Sequence, residues 1–393
     1  MGSSFIVDAV RTPLGKIGGA LANVRPDDLA ASTIMSLLKR HPSVDTSLIG
    51  GVVFGNSNGA GEENRNVGRM ASLLAGLPVS VPGSTVNRLC GSGLEAVIQV
   101  SRELESGDAD VLVSGGVESM TRAPWVVPKP DRPFPRDHAT MYSTTLGWRM
   151  VNPKFDQQWT VQLGEGAEIT AREFSISRDA QDEFSARSHH RAAAAWKAGI
   201  FDGETVLVSE SSLTMDECVR PDSSVDALAK LKPVFRVDGS VTAGNSSPMN
   251  DGAAAILMMS ESALKHHGVS PLARIASRAL SGVEPQRFCI APVEAANTAL
   301  ARAGIGWDDL SVIELNEAFA AQALACLQCW PDLDPDKVNP HGGAIAIGHP
   351  IGASGARILT TLAHELKRRG GGWGLATMCI GVGQGIAVVL DAR

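Results

Sequence analysis

Short apolar runs alternate along this chain with longer runs whose apolar positions recur at helical spacing. Residues 5–10 read as a buried strand, followed by a polar loop at Arg11, Thr12 and Pro13 and a helix over 27–39. Residues 49–54 read as a second strand, 64–74 as a helix and 79–86 as extended chain. Residues 92–105 place Leu94, Val97, Ile98 and Leu104 on one side, as an amphipathic helix should. Residues 111–116 then form a Val- and Leu-rich strand ending in a turn. Strands alternating with helices predict a mainly parallel sheet with helices on both faces.

From Thr121 the texture changes. Six prolines fall between Pro124 and Pro153 among basic and aromatic side chains, and no period survives, so this stretch is expected to be an inserted loop region. Helices resume over 167–173 and 177–199, the latter capped by Ser177 with Asp179 and Asp182 in its first turns. A further irregular stretch reaches Ser247, and the apolar run 251–260 reads as a strand returning to the first sheet. After Pro271 the opening pattern restarts: a strand at 274–276, a helix over 293–304 and a strand at 310–314 that parallels 48–54. Gly91-Ser92-Gly93, its helix and the strand at 111–114 also match Ala353-Ser354-Gly355, a helix and the strand at 375–378. A duplicated half is the economical reading; chance similarity between Gly/Ala-rich helices is the alternative.

Composition narrows the class. A chain of 393 residues, 44% hydrophobic with 41 glycines, has ample length for two or three domains. A net charge of −7 argues against a nucleic-acid protein. Six scattered cysteines form no secreted disulfide framework, which points to a reducing compartment. No run of about 20 apolar residues suggests a membrane span, and no basic and apolar leader precedes Phe5. Met1-Gly2-Ser3-Ser4 lacks the Ser or Thr that myristoylation wants at the sixth residue, and Asp391-Ala392-Arg393 is no peroxisomal signal. A cytoplasmic protein is expected.

Candidate chemistry gathers at glycine-rich turns. Cys90 follows an extended run and opens a helix, where unpaired backbone N–H groups favour the thiolate; a buried structural cysteine is the competing reading. Gly91-x-Gly93-x-x-Ala96 fits a dinucleotide fingerprint, but no acidic residue follows at the required strand end. His341-Gly342-Gly343 is like a hydrolase oxyanion turn, yet no Gly-x-Ser-x-Gly elbow exists. Cys326-x-x-Cys329 lies in an apolar helix expected over 317–330 without a second pair, so it reads as core. His349 sits between Gly348 and Gly352, where no helix or strand face accounts for it. Asn316 follows a strand end, where it either serves a site or caps the next helix. Cys379 precedes the Gly381-x-Gly383 turn.

Taken together, Val86-Asn87-Arg88-Leu89-Cys90-Gly91-Ser92-Gly93-Leu94, Asn316-Glu317-Ala318-Phe319-Ala320, the Gly348-His349-Pro350 region and Cys379-Ile380-Gly381-Val382-Gly383-Gln384-Gly385 resemble the thiolase family, in the right order and from Val7 to Leu390. The resemblance implies an α/β, five-layered α-β-α-β-α fold of two duplicated halves. Residues 1–120 plus 245–270 would form the first half and 271–393 the second, with a loop domain over 121–244 covering CoA.

It further implies Cys90 as acyl-accepting nucleophile, His349 as its base and Cys379 as the second acid/base. One oxyanion site would be His349 with a water on Asn316, the other the N–H groups of Cys90 and Gly381. Arg220, Ala243, Ser247 and Phe319 would contact CoA. Coenzyme A and acyl-CoA would be substrates, with no tightly bound cofactor and no metal, and the assembly a homotetramer. Gln162 departs from the family, standing where many short-chain members have His. A non-catalytic acyl-CoA- or lipid-binding relative and a decarboxylating condensing enzyme are the rivals; the latter would want a histidine in place of Asn316. Thr145-Leu146-Gly147-Trp148-Arg149-Met150-Val151-Asn152-Pro153 resembles the degradative branch, in particular thiolases acting on 3-oxoadipyl-CoA. Arg149, with Arg132 and Arg136, would then meet a distal carboxylate, unless these arginines serve CoA phosphates or a subunit contact.

Overall fold

The computed structural model describes residues 2–393; Met1, the first residue of the expected N-terminal half, lies outside the described residues. The first half runs β1 (Ser4–Arg11), β2 (Gly15–Lys16), α1 (Pro26–Arg40), β3 (Gly51–Gly55), α2 (Val67–Leu74), β4 (Gly83–Val86), α3 (Ser92–Ser106) and β5 (Val111–Ser119). An irregular stretch follows with the small hairpin β6 (Trp125–Val126) and β7 (Tyr142–Ser143), then α4 (Leu163–Glu173), α5 (Arg178–Lys197) and the short α6 (Val225–Leu228). Strand β8 (Asn250–Ser260) and α7 (Glu261–His267) close this half. The second half comprises β9 (Ala273–Gly282), α8 (Ala291–Ala303), β10 (Leu310–Leu315), α9 (Ala320–Gln328), α10 (Ala344–Ile347), α11 (Ile351–Arg368), β11 (Trp373–Ile380) and β12 (Gln384–Asp391).

The halves repeat one topology. From the middle of the sheet outward, the first reads β1-β8-β5-β3-β4 and the second β9-β12-β11-β10. In each, the last strand lies antiparallel between its two neighbours: β8 between β1 and β5, and β12 between β9 and β11. Only the outer pairs, β3 with β4 and β5, and β10 with β11, are parallel. The expectation of a mainly parallel sheet therefore fails at the centre. Strand β12 follows β11 through a hairpin and β8 follows the long insertion, so neither is bound by the helical crossover that makes neighbours parallel. The two half-sheets join where β1 meets β9, at Phe5 with Arg274 and Ile6 with Ala273.

This narrow seam lets the half-sheets fold around a central layer. Helices α3 and α11 pack between them in one apolar core that includes Val97, Leu104, Ile358 and Leu362 with Ile256 and Val388 from the two sheets. Helix α11 is accordingly buried along most of its length. Helices α1 and α2 cover the outer face of the first half-sheet, and α8 and α9 that of the second. The result is five layers. Burial of one such Leu or Ile contributes about 1.5–3 kcal/mol, so the middle layer, apolar on both sides, ties the halves together.

Arg11 proves to be the last residue of β1 rather than the start of a polar loop. It is fully buried, with Nε 2.5 Å from Glu204 and Nη1 2.7 Å from Asp216, which anchors the segment after α5 to the first half. The apolar helix expected over 317–330 is shorter, because Glu317 and Phe319 precede α9 in non-helical chain.

Candidate active site

The turn between β4 and α3 is held by its own side chains. Asn87 Oδ1 accepts from the Leu89 N–H at 2.9 Å and its Nδ2 donates to the Ser57 carbonyl at 2.8 Å. Leu89 has φ +47°, a region non-glycine residues seldom occupy and one that marks stored strain. Ser92 Oγ accepts from the Arg88 N–H and donates to the Leu89 carbonyl. The Arg88 guanidinium reaches Glu95 at 3.0 Å and Gln384 on β12 at 2.8 Å, clamping the turn to the C-terminal hairpin.

Cys90 is thereby aimed so that its sulfur meets its own N–H and that of Gly381. Burial of the thiol pushes its pKa up to about 11; the two N–H groups oppose this, and the Glu118 charge adds to it. Desolvation thus outweighs what the helix start and the two N–H groups offer toward the thiolate, although Cys90 itself is only partly buried. Cys90 rests as a thiol and needs a base.

His349 supplies one. Its backbone N–H donates to Asn250 Oδ1 at 3.1 Å, across Gly348, where a Cβ would lie 2.6 Å from the Asn250 carboxamide. Ring Nδ1 is 2.6 Å from Ser354 Oγ, and that hydroxyl gives its only proton to the Pro350 carbonyl at 2.9 Å. Ser354 thus accepts from Nδ1–H, and Nε2 keeps its lone pair. Burial, with the Arg357 charge behind it, lowers the His349 pKa to about 4, so the ring is a neutral acceptor. Arg357 itself is buried 3.4 Å from Glu314, whose carboxyl is pushed by burial up to about 8.

Cys379 is the penultimate residue of β11, opposite Gly385, and is buried. Burial first, then the neighbouring Cys289, Cys90 and Cys326, raise its thiol well above the ordinary value, which suits a proton donor. Cys90, His349 and Cys379 line one cavity of about 510 Å³ together with Ser247, Phe319 and Gln162. A second cavity of about 70 Å³ also touches Cys90 and reaches Gly381. Asn316 stands outside the cavity walls. Its N–H donates to the Thr377 carbonyl, while both carboxamide atoms are buried without a protein partner among the described residues. A helix cap it is not.

Arg220 and Ala243 are exposed and line neither cavity; the Arg220 N–H donates to His189 Nδ1 at 3.2 Å. Arg132 pairs with Asp137 on the surface and Arg136 is exposed, so only Arg149 of the three arginines borders the site, in the wall of the smaller cavity.

Ser354, Asn250 and Glu118 were not singled out from sequence. Buried Glu118 accepts from the Ser57 N–H and Oγ, the Asn58 N–H, Asn56 Nδ2 and the Gly352 N–H, joining the loop after β3 to the first turn of α11. Its signal was a carboxylate at the end of an otherwise apolar strand. His341, by contrast, is held 2.7 Å from Glu365 away from both cavities, and the Cys326 thiol donates to the Cys289 carbonyl within the core, as expected.

Residues 4–262 match the model of the thiolase N-terminal domain and residues 269–392 that of the thiolase C-terminal domain. The chain is 50% identical to the 3-oxoadipyl-CoA/3-oxo-5,6-dehydrosuberyl-CoA thiolase of Escherichia coli (strain K12), over the full length of both. It is 48% identical to a beta-ketoadipyl-CoA thiolase of Pseudomonas aeruginosa, covering 98% of each. Among solved structures, the Bacillus anthracis acetyl-CoA acetyltransferase superposes with a TM-score of 0.93 at 38% identity, covering 100% of this chain and 99% of that one. The human mitochondrial 3-ketoacyl-CoA thiolase in complex with CoA gives 0.93 at 37%, covering 100% and 98%.

Proposed function

The chain belongs to the thiolase family and is an acyl-CoA C-acyltransferase, and we propose that it cleaves 3-ketoacyl-CoA through an acyl group carried on Cys90. The observation that carries this reading is the Cys90 sulfur facing the Gly381 N–H in a cavity whose wall also holds His349 and Cys379. His349 Nε2 takes the Cys90 proton as the sulfur attacks the 3-keto carbon. The C2–C3 bond breaks, and the Cys379 thiol protonates the acetyl-CoA carbanion that leaves. The Cys379 thiolate then takes the proton of an incoming CoA, whose sulfur attacks the Cys90 thioester. Cys90 departs and recovers its proton from His349. Run backward, the same steps make a Claisen condensation of acetyl-CoA.

Two thiols are needed because carbon–carbon cleavage beside a thioester wants a covalent acceptor and a separate proton shuttle. Backbone N–H groups of Cys90 and Gly381 would stabilise the oxyanion of the acyl-enzyme steps. His349, with a water on the unpartnered Asn316 carboxamide, would serve the other. That carboxamide also disfavours the decarboxylating rival, which would place a histidine there and leave Cys379 idle.

Coenzyme A enters as substrate. Ser247 and Phe319, in the wall of the larger cavity, are assigned to its pantetheine arm, exposed Arg220 and Ala243 to its outer part, and residues 121–244 to its cover. The names of the relatives favour 3-oxoadipyl-CoA as the physiological substrate, in the degradative direction. Exposed Trp125, Phe134, Met141 and Phe155 of the insertion favour a subunit contact and a homotetramer. Among the described residues no helix is long and apolar enough to cross a membrane, and a cytoplasmic location is the reading kept. A thiolysis panel from acetoacetyl-CoA through 3-oxoadipyl-CoA to long-chain 3-ketoacyl-CoA, ranked by kcat/KM, tests the proposal. Absence of CoA-dependent cleavage across the panel would refute it.

A further inference from the structure

The smaller cavity beside Cys90 is walled by one guanidinium and several hydroxyls. We propose that Arg149, with the Thr145 hydroxyl, forms a subsite for a carboxylate at the far end of the acyl chain, so that short dicarboxylyl substrates are selected. The inference rests on the thiolase reading above. The cavity touches Cys90, where the acyl carbonyl would be attached, and its volume is about 70 Å³. Next to the cavity of about 510 Å³ that also touches Cys90, it is a small recess.

Arg149 is half-buried and has no carboxylate within ion-pair distance among the described residues, whereas Arg122, Arg178 and Arg236 around the same insertion are all paired. A guanidinium keeps its charge at every working pH and presents parallel donors that match a carboxylate. Thr145 Oγ1 accepts from Ser143 Oγ at 3.3 Å, so its own proton is left to donate. The segment that presents both is pinned. Trp148 Nε1 donates to the Val161 carbonyl at 3.0 Å, and its ring lies against Gly381, where a Cβ would be 3.1 Å from the indole. Met150 follows at φ +52°.

The nearby charge of opposite sign is Glu118, bonded to Ser57 and Asn58, which also line the cavity. It is buried and accepts hydrogen bonds from Ser57, Asn58, Asn56 and Gly352, which holds its oxygens away from the cavity. The Ser57 hydroxyl is spent on Glu118 and offers an anion nothing. Among the described residues, Arg149 is thus the one cation that lines the cavity with the acyl-bearing sulfur.

Full-length wild type, Arg149→Gln and Arg149→Lys would be compared in thiolysis of 3-oxoadipyl-CoA and of 3-oxohexanoyl-CoA, which has the same carbon chain with a methyl in place of the carboxylate. Arg149→Gln should lower kcat/KM for 3-oxoadipyl-CoA roughly ten- to a hundredfold, the range of one charge-assisted hydrogen bond, mainly through KM. It should leave 3-oxohexanoyl-CoA close to wild type, and Arg149→Lys should recover part of the loss. Equal losses on the two substrates, or no loss on either, overturn the subsite. A wild type that prefers 3-oxohexanoyl-CoA also overturns it while leaving the thiolase reading intact; a wild type that cleaves neither overturns both.

Discussion

Gly93 on α3 and Gly355 on α11 occupy equivalent places in the two halves, and each admits the backbone of the other's helix. A Cβ on Gly93 would lie 2.7 Å from the Ala356 nitrogen, and one on Gly355 would lie 2.3 Å from the Leu94 nitrogen. Cys90 and His349 lead into these two helix starts. The reciprocal glycine crossing is thus what brings nucleophile and base, far apart in sequence, to one cavity. Gly355→Ala should cost about 1–3 kcal/mol or more, since backbone rather than a flexible side chain must move. A lowered denaturant midpoint together with reduced kcat is expected; a variant unchanged in both would show that the crossing does not set the site.

Loss of the proton shuttle should separate the two half-reactions. Cys379→Ser should still acylate Cys90 from labelled acetyl-CoA, seen by peptide mapping, while Claisen condensation drops about a hundred- to ten-thousandfold. Condensation near the wild-type rate would disprove the two-thiol assignment, and label found on Cys379 in the wild type would reverse it.

The acid limb of the rate profile follows from His349. Only the neutral ring accepts the Cys90 proton, so activity is lost as pH falls through its pKa. Burial moves that pKa down from the usual histidine value to about 4. The kcat/KM for acylation should therefore stay level as pH drops through 6.5 and fall only toward 4. A half-maximal point near 6.5 would mean that His349 is not held in this buried form.

Ser354 fixes the tautomer of the base without touching the reacting atoms. Removing the hydroxyl in Ser354→Ala frees Nδ1 and lets the ring carry its proton on Nε2, the wrong nitrogen. A loss in kcat of about tenfold, with KM for CoA little changed, is expected from one hydrogen bond. An unaltered kcat would place the control of the tautomer elsewhere.

The exposed apolar side chains of the insertion lead to the last expectation. Light scattering at micromolar concentration should give a stable mass near four times that of the 41.1 kDa chain. A stable species of twice that mass would reject the tetramer.

Much of this protein is local and could be read directly. Apolar runs and helical spacing located most strands and helices, because each element must bury one face whatever it packs against. The repeat from Gly91 to Cys379 was visible for the same reason: two copies of one supersecondary unit carry two copies of its pattern. Cys90 stood out at the start of a helix, His349 because no helix or strand face accounts for it, and Cys379 before a glycine-rich turn. The tertiary structure alone decided what depends on contact across the halves. The antiparallel centre of the sheet came from how β8 and β12 return, which period-2 patterning does not encode. The resting thiol of Cys90, the neutral ring of His349 and the tautomer set by Ser354 came from burial and hydrogen bonding. The choice of Arg149 over Arg132 and Arg136 came from which arginine the fold leaves unpaired in the wall of a cavity that Cys90 also lines, because a side chain's charge is local but its desolvation and its partners are properties of everything packed around it.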